Sequence, residues 1–292
     1  MATIRSSLPH EDRTASQPRA DGIEPVILSN IREINPAVRL LRLSARDPQH
    51  TIKVRRPLTD YIIHEGLKAG GFTITSTPFE AQTRRDSPPF LELAIQKSSN
   101  PLAQWLWRPE ADILGSQLMV RVGGSFTWPP QGLYAEKIER LVLVAGGVGI
   151  KYGWNWGCGS RPKEIHFLYG TKAGSSDPDP QSILFLPRLL DLVAAIDQPI
   201  NITLSLYLTD LGHSDQGMLE HGKLPNRTFG RRIAETDLAG ALDGWKERLP
   251  GGEGRHRTVC YVCGPQKMTD EFVGFLAKQD GMGPERVLCE KW

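Results

Sequence analysis

Residues 141–150 read Leu-Val-Leu-Val-Ala-Gly-Gly-Val-Gly-Ile, an apolar, β-branched run that stops at a group of glycines. Such a run predicts a buried strand of a parallel sheet. Glycines at its end let the backbone come within hydrogen-bonding distance of a ligand's phosphates or ribose, because no Cβ stands in the way. The pattern is Gly-Gly-x-Gly rather than the usual Gly-x-Gly-x-x-Gly, so an ordinary turn remains an alternative interpretation.

A second apolar run lies near the C-terminus. Residues 258–262 predict another buried strand, which leads directly into Cys263-Gly264-Pro265. Apolar residues then recur at helical spacing, at Met268, Phe272, Phe275 and Leu276. A helix therefore begins at the carboxyl end of this strand as well, and two such ends in one parallel sheet form a ligand crevice.

Strands and helices alternate between these two runs. Residues 164–169 and 200–208 predict strands, and residues 183–195 and 235–245 predict helices. This alternation is typical of a parallel α/β sheet, here of about five strands, with residues 136–292 as its domain.

The first half of the chain has a different pattern. Five short stretches alternate in hydrophobicity or are β-branched, which predicts strands at residues 26–28, 38–43, 72–74, 91–96 and 118–122. We interpret residues 23–135 as an antiparallel β-barrel domain. The fold class is thus a two-domain chain, an N-terminal barrel followed by an α/β parallel-sheet domain.

Charge and composition exclude several classes of partner. The 35 basic residues are nearly balanced by 33 acidic ones, so no electrostatic footprint for nucleic acid is present. No apolar run is long enough to span a bilayer. We expect no metal site, because Cys260 and Cys263 point to opposite faces of a strand and no second Cys-x-x-Cys completes a zinc site.

Five landmarks in order resemble the ferredoxin reductase superfamily, and within it the group called oxidoreductase NAD-binding domain-containing protein 1. They are Gly-Gly-Phe-Thr-Ile-Thr-Ser-Thr-Pro at 70–78, Arg-Val-Gly-Gly-Ser-Phe at 121–126, Gly-Gly-Val-Gly-Ile at 146–150, Tyr-Val-Cys-Gly-Pro at 261–265 and Glu-Lys-Trp at 290–292. The resemblance covers residues 23 to 292. It implies a flavin-binding barrel and a nicotinamide-binding domain, with FAD and NAD(P)H as cofactors.

The resemblance assigns the flavin ring to residues 70–76. Phe72 would lie against the ring, and the Thr73 hydroxyl would donate near its reactive nitrogen. Gly70 stands where the superfamily usually has an arginine. The other residues expected to bind flavin are Gly71, Ile74, Thr75, Ser76, Gly124 and Ser125.

The flavin phosphates need another partner, since that arginine is absent. Lys97 offers a positive charge, although it also fits a solvated loop lysine. Asn100, Leu102 and Ala103 open a short helix whose N–H groups suit a pyrophosphate.

The nicotinamide cofactor is assigned to the strand ends of the second domain. The residues expected there are Gly146, Gly147, Val148, Gly149, Ile150, Gly264, Pro265 and Met268, with Thr171 and Lys172 at the adenosine ribose. Lys172 would suit a 2′-phosphate, but a lone lysine leaves the choice between NAD and NADP open.

Four residues are assigned to the reaction itself: Thr73, Cys263, Glu290 and Trp292. Cys263 would flank the hydride path, with a buried small hydrophobe as its alternative interpretation. Glu290 would support the thiol or relay a proton, and Trp292 would cover the flavin until nicotinamide displaces it. The predicted function is therefore a flavin-dependent oxidoreductase that passes hydride from NAD(P)H to FAD and electrons to an unknown acceptor.

Two stretches depart from the family pattern. Residues 151–162 hold three glycines and a proline where the family has a crossover helix, and residues 53–66 differ from the usual turn and strand. Real divergence and a gene-model artefact explain them equally well. If the crossover helix is missing, one face of the sheet would be partly uncovered, and the alternative function is a flavin-binding protein with impaired or lost NAD(P)H reactivity.

Residues 1–22 form a predicted disordered tail or targeting segment, because they are rich in Ser, Arg, Pro and Asp. Arg5, Arg13 and Arg19 favour a mitochondrial transit peptide, as does the family, whose animal members look mitochondrial. Acidic residues in the same segment argue against it. Mitochondrial and cytoplasmic locations are weighted evenly.

Overall fold

The computed structural model describes residues 22–53, 59–63, 70–123, 128–147, 161–174, 177–195, 200–211, 216–219, 222–245 and 254–291. Only the backbone is described at residues 59–63, 73, 192, 195, 216 and 291. The described residues form two compact units, which divide between Thr127 and Trp128.

The first unit is a closed antiparallel barrel, as predicted. Its strands follow the spatial order β1-β2-β5-β4-β3-β6, and two short helices connect β5 to β6. The elements are β1 (Glu24–Asn35), β2 (Val38–Ala45), β3 (Thr59–Ile63), β4 (Gly70–Ile74), β5 (Phe90–Gln96), α1 (Pro101–Leu106), α2 (Glu110–Ile113) and β6 (Gln117–Gly123).

Strand β3 was not predicted, because it lies in the stretch 53–66 whose composition differs from the family pattern. It closes the barrel by pairing with β6 on one side and β4 on the other, with Thr59 opposite Gly123 and Ile62 opposite Gly70. The strand of the family pattern is thus present in this stretch despite its different residues.

The barrel core follows the two-residue period of its strands. Leu41 and Leu43 of β2 and Leu91 and Leu93 of β5 are fully buried in it. Helix α1 adds Leu102, Ala103 and Leu106 to the same cluster, so it packs directly on the strands.

The second unit is a seven-stranded sheet, where about five strands were expected. Every neighbouring pair is parallel except β10 and β11. The elements are β7 (Arg140–Gly146), β8 (Glu164–Lys172), α3 (Leu186–Ala195), β9 (Asn201–Thr209), β10 (Gln216–Met218), β11 (Thr228–Gly230), α4 (Glu235–Leu242), β12 (Thr258–Gly264), α5 (Gln266–Leu276) and β13 (Val287–Lys291).

Two predicted helices are shorter than expected. Helix α3 begins at Leu186 rather than at residue 183, because Phe185 has φ of 59° and cannot belong to a right-handed helix. Helix α4 ends at Leu242, since Gly244 and Trp245 have φ of 67° and 59°. The Arg140 guanidinium donates to the Leu242 carbonyl oxygen at 2.6 Å and so supplies a hydrogen-bond partner for one carbonyl group of the last turn.

The strand order places a topological switch at the centre of the sheet. In the order β10-β11-β9-β8-β7-β12-β13, the chain proceeds from β7 to β8 and β9 on one side, and returns to β12 and β13 on the other. The carboxyl ends of β7 and β12 therefore adjoin where the direction of winding reverses, which is where ligands bind in open α/β sheets.

Both faces of the two central strands are buried. Residues 141–146 and the whole of β12 are buried, so the partly uncovered face expected here is not observed along these strands. The missing crossover helix was predicted for residues 151–162, most of which lie outside the described residues. No helix within the described ranges is long and apolar enough to cross a membrane.

Candidate functional site

Two glycines meet at the switch point of the sheet. Gly146 ends β7 and Gly264 ends β12, and a Cβ built on Gly264 would stand 3.3 Å from the backbone of Gly146. Gly147 follows with φ of 53°, a left-handed conformation that favours glycine. The structure thus brings together the glycine ends that the sequence assigned to a dinucleotide, whereas Val148, Gly149 and Ile150 lie outside the described residues.

The first turn of α5 packs against these glycines. A Cβ on Gly146 would stand 2.9 Å from the Met268 sulfur and 3.0 Å from Pro265 Cδ, and a Cβ on Gly264 would overlap the Met268 methyl group. Helix and strand ends approach closely because neither glycine has a side chain. Close packing is thus one reason for glycine at both positions, in addition to any role in admitting a ligand.

Helix α5 begins at this edge without a side-chain cap. Its N-cap residue is Pro265, which makes no side-chain hydrogen bond to the first turn, while Thr269 donates from Oγ1 to the Gly264 carbonyl oxygen at 3.1 Å. The positive end of the helix dipole therefore faces the carboxyl edge of the sheet. Such a terminus favours a phosphate or another electron-rich group.

Cys263 and Glu290 are paired positions of the parallel strands β12 and β13. Side chains at paired positions lie on the same face of a sheet, so the structure brings together these two predicted site residues. Cys263 is 1% exposed, which is also what the packing alternative requires. Trp292 lies outside the described residues, and its role stays a prediction.

Cys260 lies on the other face, among the core residues that α4 and α5 cover. Burial raises the pKa of its thiol far above the ordinary value. The two thiols of the Cys-x-x-Cys pair are thus on opposite faces, as the strand period predicts. Within the described ranges, no group of three or more His, Cys, Asp or Glu side chains is arranged to hold a metal ion.

The ends of β8 and β9 form the predicted ribose edge. Lys172 is paired in register with Thr209, and its Nζ lies 3.8 Å from Asp210 Oδ2. Both side chains are exposed, and Asp210 has φ of 68°. The Thr171 carbonyl oxygen accepts from Thr209 Oγ1 at 3.4 Å. Asp210 was missed in the sequence, although its place directly after a buried strand is the signal that would have found it.

In the first unit, Phe72 is half-buried on β4. A Cβ on Gly70 would stand 3.0 Å from the Phe72 ring and 3.1 Å from Leu102 Cδ2, so the ring packs over the glycine. The Phe72 ring therefore occupies the space that a side chain at position 70, such as the superfamily's arginine, would need. Thr73 is described by its backbone alone, paired with Ala94 of β5.

The start of α1 is already capped. Asn100 Oδ1 accepts from the N–H groups of Leu102 at 2.9 Å and Ala103 at 3.2 Å. These are the donors that the sequence assigned to a pyrophosphate, so a phosphate would have to displace the Asn100 side chain. Lys97 Nζ lies 5.1 Å from the centroid of the Trp107 ring, which also has the Arg39 guanidinium 4.4 Å away. Lys97 therefore rests on an aromatic surface, a cation–π arrangement.

The other six residues predicted to bind flavin have different outcomes. Thr75 and Ser76 are buried and bonded to Glu92, a residue that sequence analysis missed. Gly71 lies in β4 opposite Tyr61 of β3, and Ile74 belongs to the barrel core. Gly124 and Ser125 lie outside the described residues.

No family model matches this chain, but curated relatives do. Oxidoreductase NAD-binding domain-containing protein 1 of Homo sapiens is 30% identical over 291 residues, which are 97% of this chain and 84% of the relative. Its counterpart in Xenopus tropicalis is 30% identical over 302 residues, with 99% and 85% covered. The Danio rerio counterpart is 26% identical and covered over 99% of both chains.

Solved structures share the fold. The Amycolatopsis cytochrome P450 reductase GcoB superposes with a TM-score of 0.62 at 17% identity, over 94% of this chain and 71% of that one. A ferredoxin NADP+ reductase from Neisseria gonorrhoeae with bound FAD and NADP gives a TM-score of 0.59 at 13% identity, over 93% and 99%. At such identities the likeness shows the two-domain fold alone.

Proposed function

This chain belongs to the family of oxidoreductase NAD-binding domain-containing protein 1, and from that membership we propose that it is a flavin-dependent oxidoreductase, which passes hydride from NAD(P)H to FAD and electrons on to an acceptor. The acceptor is a small molecule or a protein. Mitochondrial or cytoplasmic location stays a prediction from residues 1–22.

The observation that carries the proposal is the switch point between β7 and β12. Gly146, Gly147 and Gly264 lie there with the uncapped start of α5. A backbone without Cβ atoms and a helix N-terminus are what the phosphates or the carboxamide of a dinucleotide require. These residues fit NAD(P)H on chemical grounds.

The residues fit the ring of FAD and its diphosphate to different degrees. Phe72 offers an aromatic ring that is partly exposed, which suits contact with an isoalloxazine ring. The phosphate end is different, because Asn100 already uses the N–H groups of Leu102 and Ala103. We propose that Lys97 supplies the positive charge for the diphosphate, while Gly124 and Ser125 complete the ring site.

The chain's own residues would orient the two cofactors and hold or exchange a proton. We propose that Thr73 donates a hydrogen bond to the flavin ring, and that Cys263 lines the nicotinamide site. Glu290, paired with Cys263 in register, would hold or exchange a proton beside that thiol. Trp292 would exclude water and yield its place to nicotinamide.

The alternative function of this chain, a flavin-binding protein with impaired or lost NAD(P)H reactivity, is favoured by one contact and by one stretch of sequence. Met268 and Pro265 fill the space beside Gly146 on the α5 side, and residues 151–162 lack the composition of a crossover helix. Under this alternative FAD binds and the nicotinamide cofactor does not react.

Anaerobic stopped-flow absorbance separates these functions. The purified chain with bound FAD is mixed with NADH or with NADPH, and the visible band of oxidised flavin is followed. Rapid bleaching is the expected result and also gives the preferred nucleotide. Bound flavin that neither nucleotide bleaches would establish the alternative, and a chain that binds no FAD would overturn both.

A further inference from the structure

Glu92 is a buried carboxyl in the first unit. It lies in the middle of β5 and is 8% exposed, although carboxylates are seldom buried to this extent without specific partners. Glu92 is not among the site residues that were assigned from the sequence. Two of its partners are the residues that follow β4, the strand that carries Phe72 and Thr73.

Three different atoms of Glu92 hold Thr75 and Ser76. Thr75 N donates to the Glu92 carbonyl oxygen at 2.6 Å, and Thr75 Oγ1 donates to Glu92 Oε1 at 2.9 Å or to the same carbonyl oxygen at 3.1 Å. In the other direction, Glu92 N donates to Ser76 Oγ at 2.9 Å. The backbone and both hydroxyls of the segment are therefore fixed by one residue of the neighbouring strand.

These bonds set the hydrogen-bonding sense of the two hydroxyls. The Thr75 hydrogen points to Glu92, so Thr75 Oγ1 has only lone pairs for another group. Ser76 Oγ accepts from Glu92, so its hydrogen remains for donation. Thr75 and Ser76 are 6% and 7% exposed, which limits them to contact with the edge of a ligand.

We propose that Glu92 is a positioning residue of the flavin site, which acts through Thr75 and Ser76. It presents an acceptor beside a donor, the pair that complements the N–H and carbonyl groups on the pyrimidine edge of a flavin ring. It also holds the chain directly after Phe72 and Thr73. This inference rests on the proposed binding of FAD, but not on hydride transfer from NAD(P)H.

The test uses two pairs of variants in the full chain. Glu92→Met removes the acceptor at similar length, and Glu92→Gln keeps a side-chain oxygen for Thr75. Thr75→Val removes the hydroxyl at constant shape, and Thr75→Ser keeps it. Glu110→Met, at an exposed position of α2 in the same unit, is the control. Each apoprotein is titrated with FAD by fluorescence, the visible bands of the bound flavin are recorded, and the melting temperature is measured.

We expect Glu92→Met and Thr75→Val to weaken FAD binding by about tenfold or more, as for the loss of one hydrogen bond to a charged group. Their bound flavin should also have altered visible bands. Glu92→Gln and Thr75→Ser should stay within about threefold of the starting chain, because the bond between positions 75 and 92 survives. Glu110→Met should change nothing.

Wild-type affinity and spectrum in both Thr75→Val and Glu92→Met would overturn the proposal. So would an equal loss in all four variants, because Glu92→Gln and Thr75→Ser keep the hydrogen bond between positions 75 and 92 and should therefore keep the affinity. If Glu92→Met does not fold, the comparison of Thr75→Val with Thr75→Ser tests the proposal alone. Both of these variants keep the hydrogen bond from the main-chain N–H of residue 75 to the Glu92 carbonyl oxygen. A chain that binds FAD without bleaching by NAD(P)H would refute the proposed reductase and leave this test intact, whereas a chain that binds no FAD refutes both.

Discussion

Met268 lies over Gly146: a Cβ on the glycine would stand 2.9 Å from the methionine sulfur. The same side chain covers Gly264 on the neighbouring strand. One flexible thioether thus fills the space left by two glycines at the switch point. Stability of the second unit and access to its glycine ends therefore depend on the same contact.

The contact between positions 264 and 268 should be measurable as a coupling. We expect Gly264→Ala to lower the free energy of unfolding by about 1–3 kcal/mol, because the new methyl group overlaps Met268 and stands 3.3 Å from the Gly146 backbone. Adding Met268→Ala should return part of that loss. Urea unfolding of the two single variants and the double variant measures the coupling energy.

Gly274→Ala is the matched control for this cycle. Gly274 lies in α5 with nothing within 4 Å of its Cβ position, so alanine should raise the free energy of unfolding by about 0.5–1 kcal/mol through helix propensity. A purely additive cycle at 264 and 268 would contradict the packing described here.

His166 should make the second unit sensitive to acid. Burial, aided by the charge of Arg140, lowers the pKa of His166 from 6.5 to about 4. Between these values the unfolded chain binds more protons than the folded one, so folding stability is complete above about pH 6.5 and falls as the pH falls toward 4. The loss should be on the order of 3 kcal/mol.

Urea unfolding between pH 4 and 7, with and without His166→Gln, measures this contribution. Glutamine cannot titrate and keeps an acceptor for Trp245, whose Nε1 donates to His166 Nδ1 at 3.2 Å. The variant should have a shallower pH dependence in this window. Equal slopes in the two proteins would mean that His166 titrates in the folded state as it does in the unfolded chain.

Asp210 should favour NADH over NADPH. Its carboxylate lies 3.8 Å from Lys172 Nζ, so the one lysine suggested for a 2′-phosphate is already paired. Asp210→Asn removes the negative charge and should raise kcat/KM for NADPH relative to NADH by about fivefold, the effect of roughly 1 kcal/mol between nearby exposed charges. Steady-state rates with both nucleotides measure the ratio, and Asp191→Asn on α3 is an exposed control. An unchanged ratio would exclude Asp210 from the ribose site.

Removal of Trp292 should change nicotinamide affinity. The residue before it, Lys291, is paired with Gly264 at the carboxyl end of β12. If Trp292 competes with nicotinamide, a chain that ends at Lys291 should have a lower KM for NAD(P)H. Trp292→Phe should keep most of the competition, because an aromatic ring remains. The same KM and kcat in all three chains would remove Trp292 from the mechanism.

Local patterns were sufficient for most of the fold. Continuous apolar runs predicted β7 and β12, because a strand that is buried on both faces is apolar at every position. Alternation predicted β4 and four other barrel strands, because a strand that is buried on one face is apolar at every second position. Strand β3 has no such signal. It is defined by pairing with β4 and β6, so its place depends on neighbours distant in sequence.

The candidate site was less accessible to sequence reasoning. Glycine clusters and the Cys-Gly-Pro turn indicated the strand ends correctly, since backbone requirements are visible in residue type. Contacts across the chain were not visible: Thr75 with Glu92, and Lys172 with Asp210. Hydrogen bonds between distant side chains leave no periodicity.

The position of β7 at the centre of the sheet also has a consequence for synthesis on the ribosome. Its partner β8 follows soon after it, but its other partner, β12, is made only after β9, β11 and α4. Until Thr258–Gly264 emerges, one hydrogen-bonding edge of the most apolar strand is open to foreign strands. Chains that stall before that point should be prone to aggregation and should depend on chaperones, more than chains released at full length.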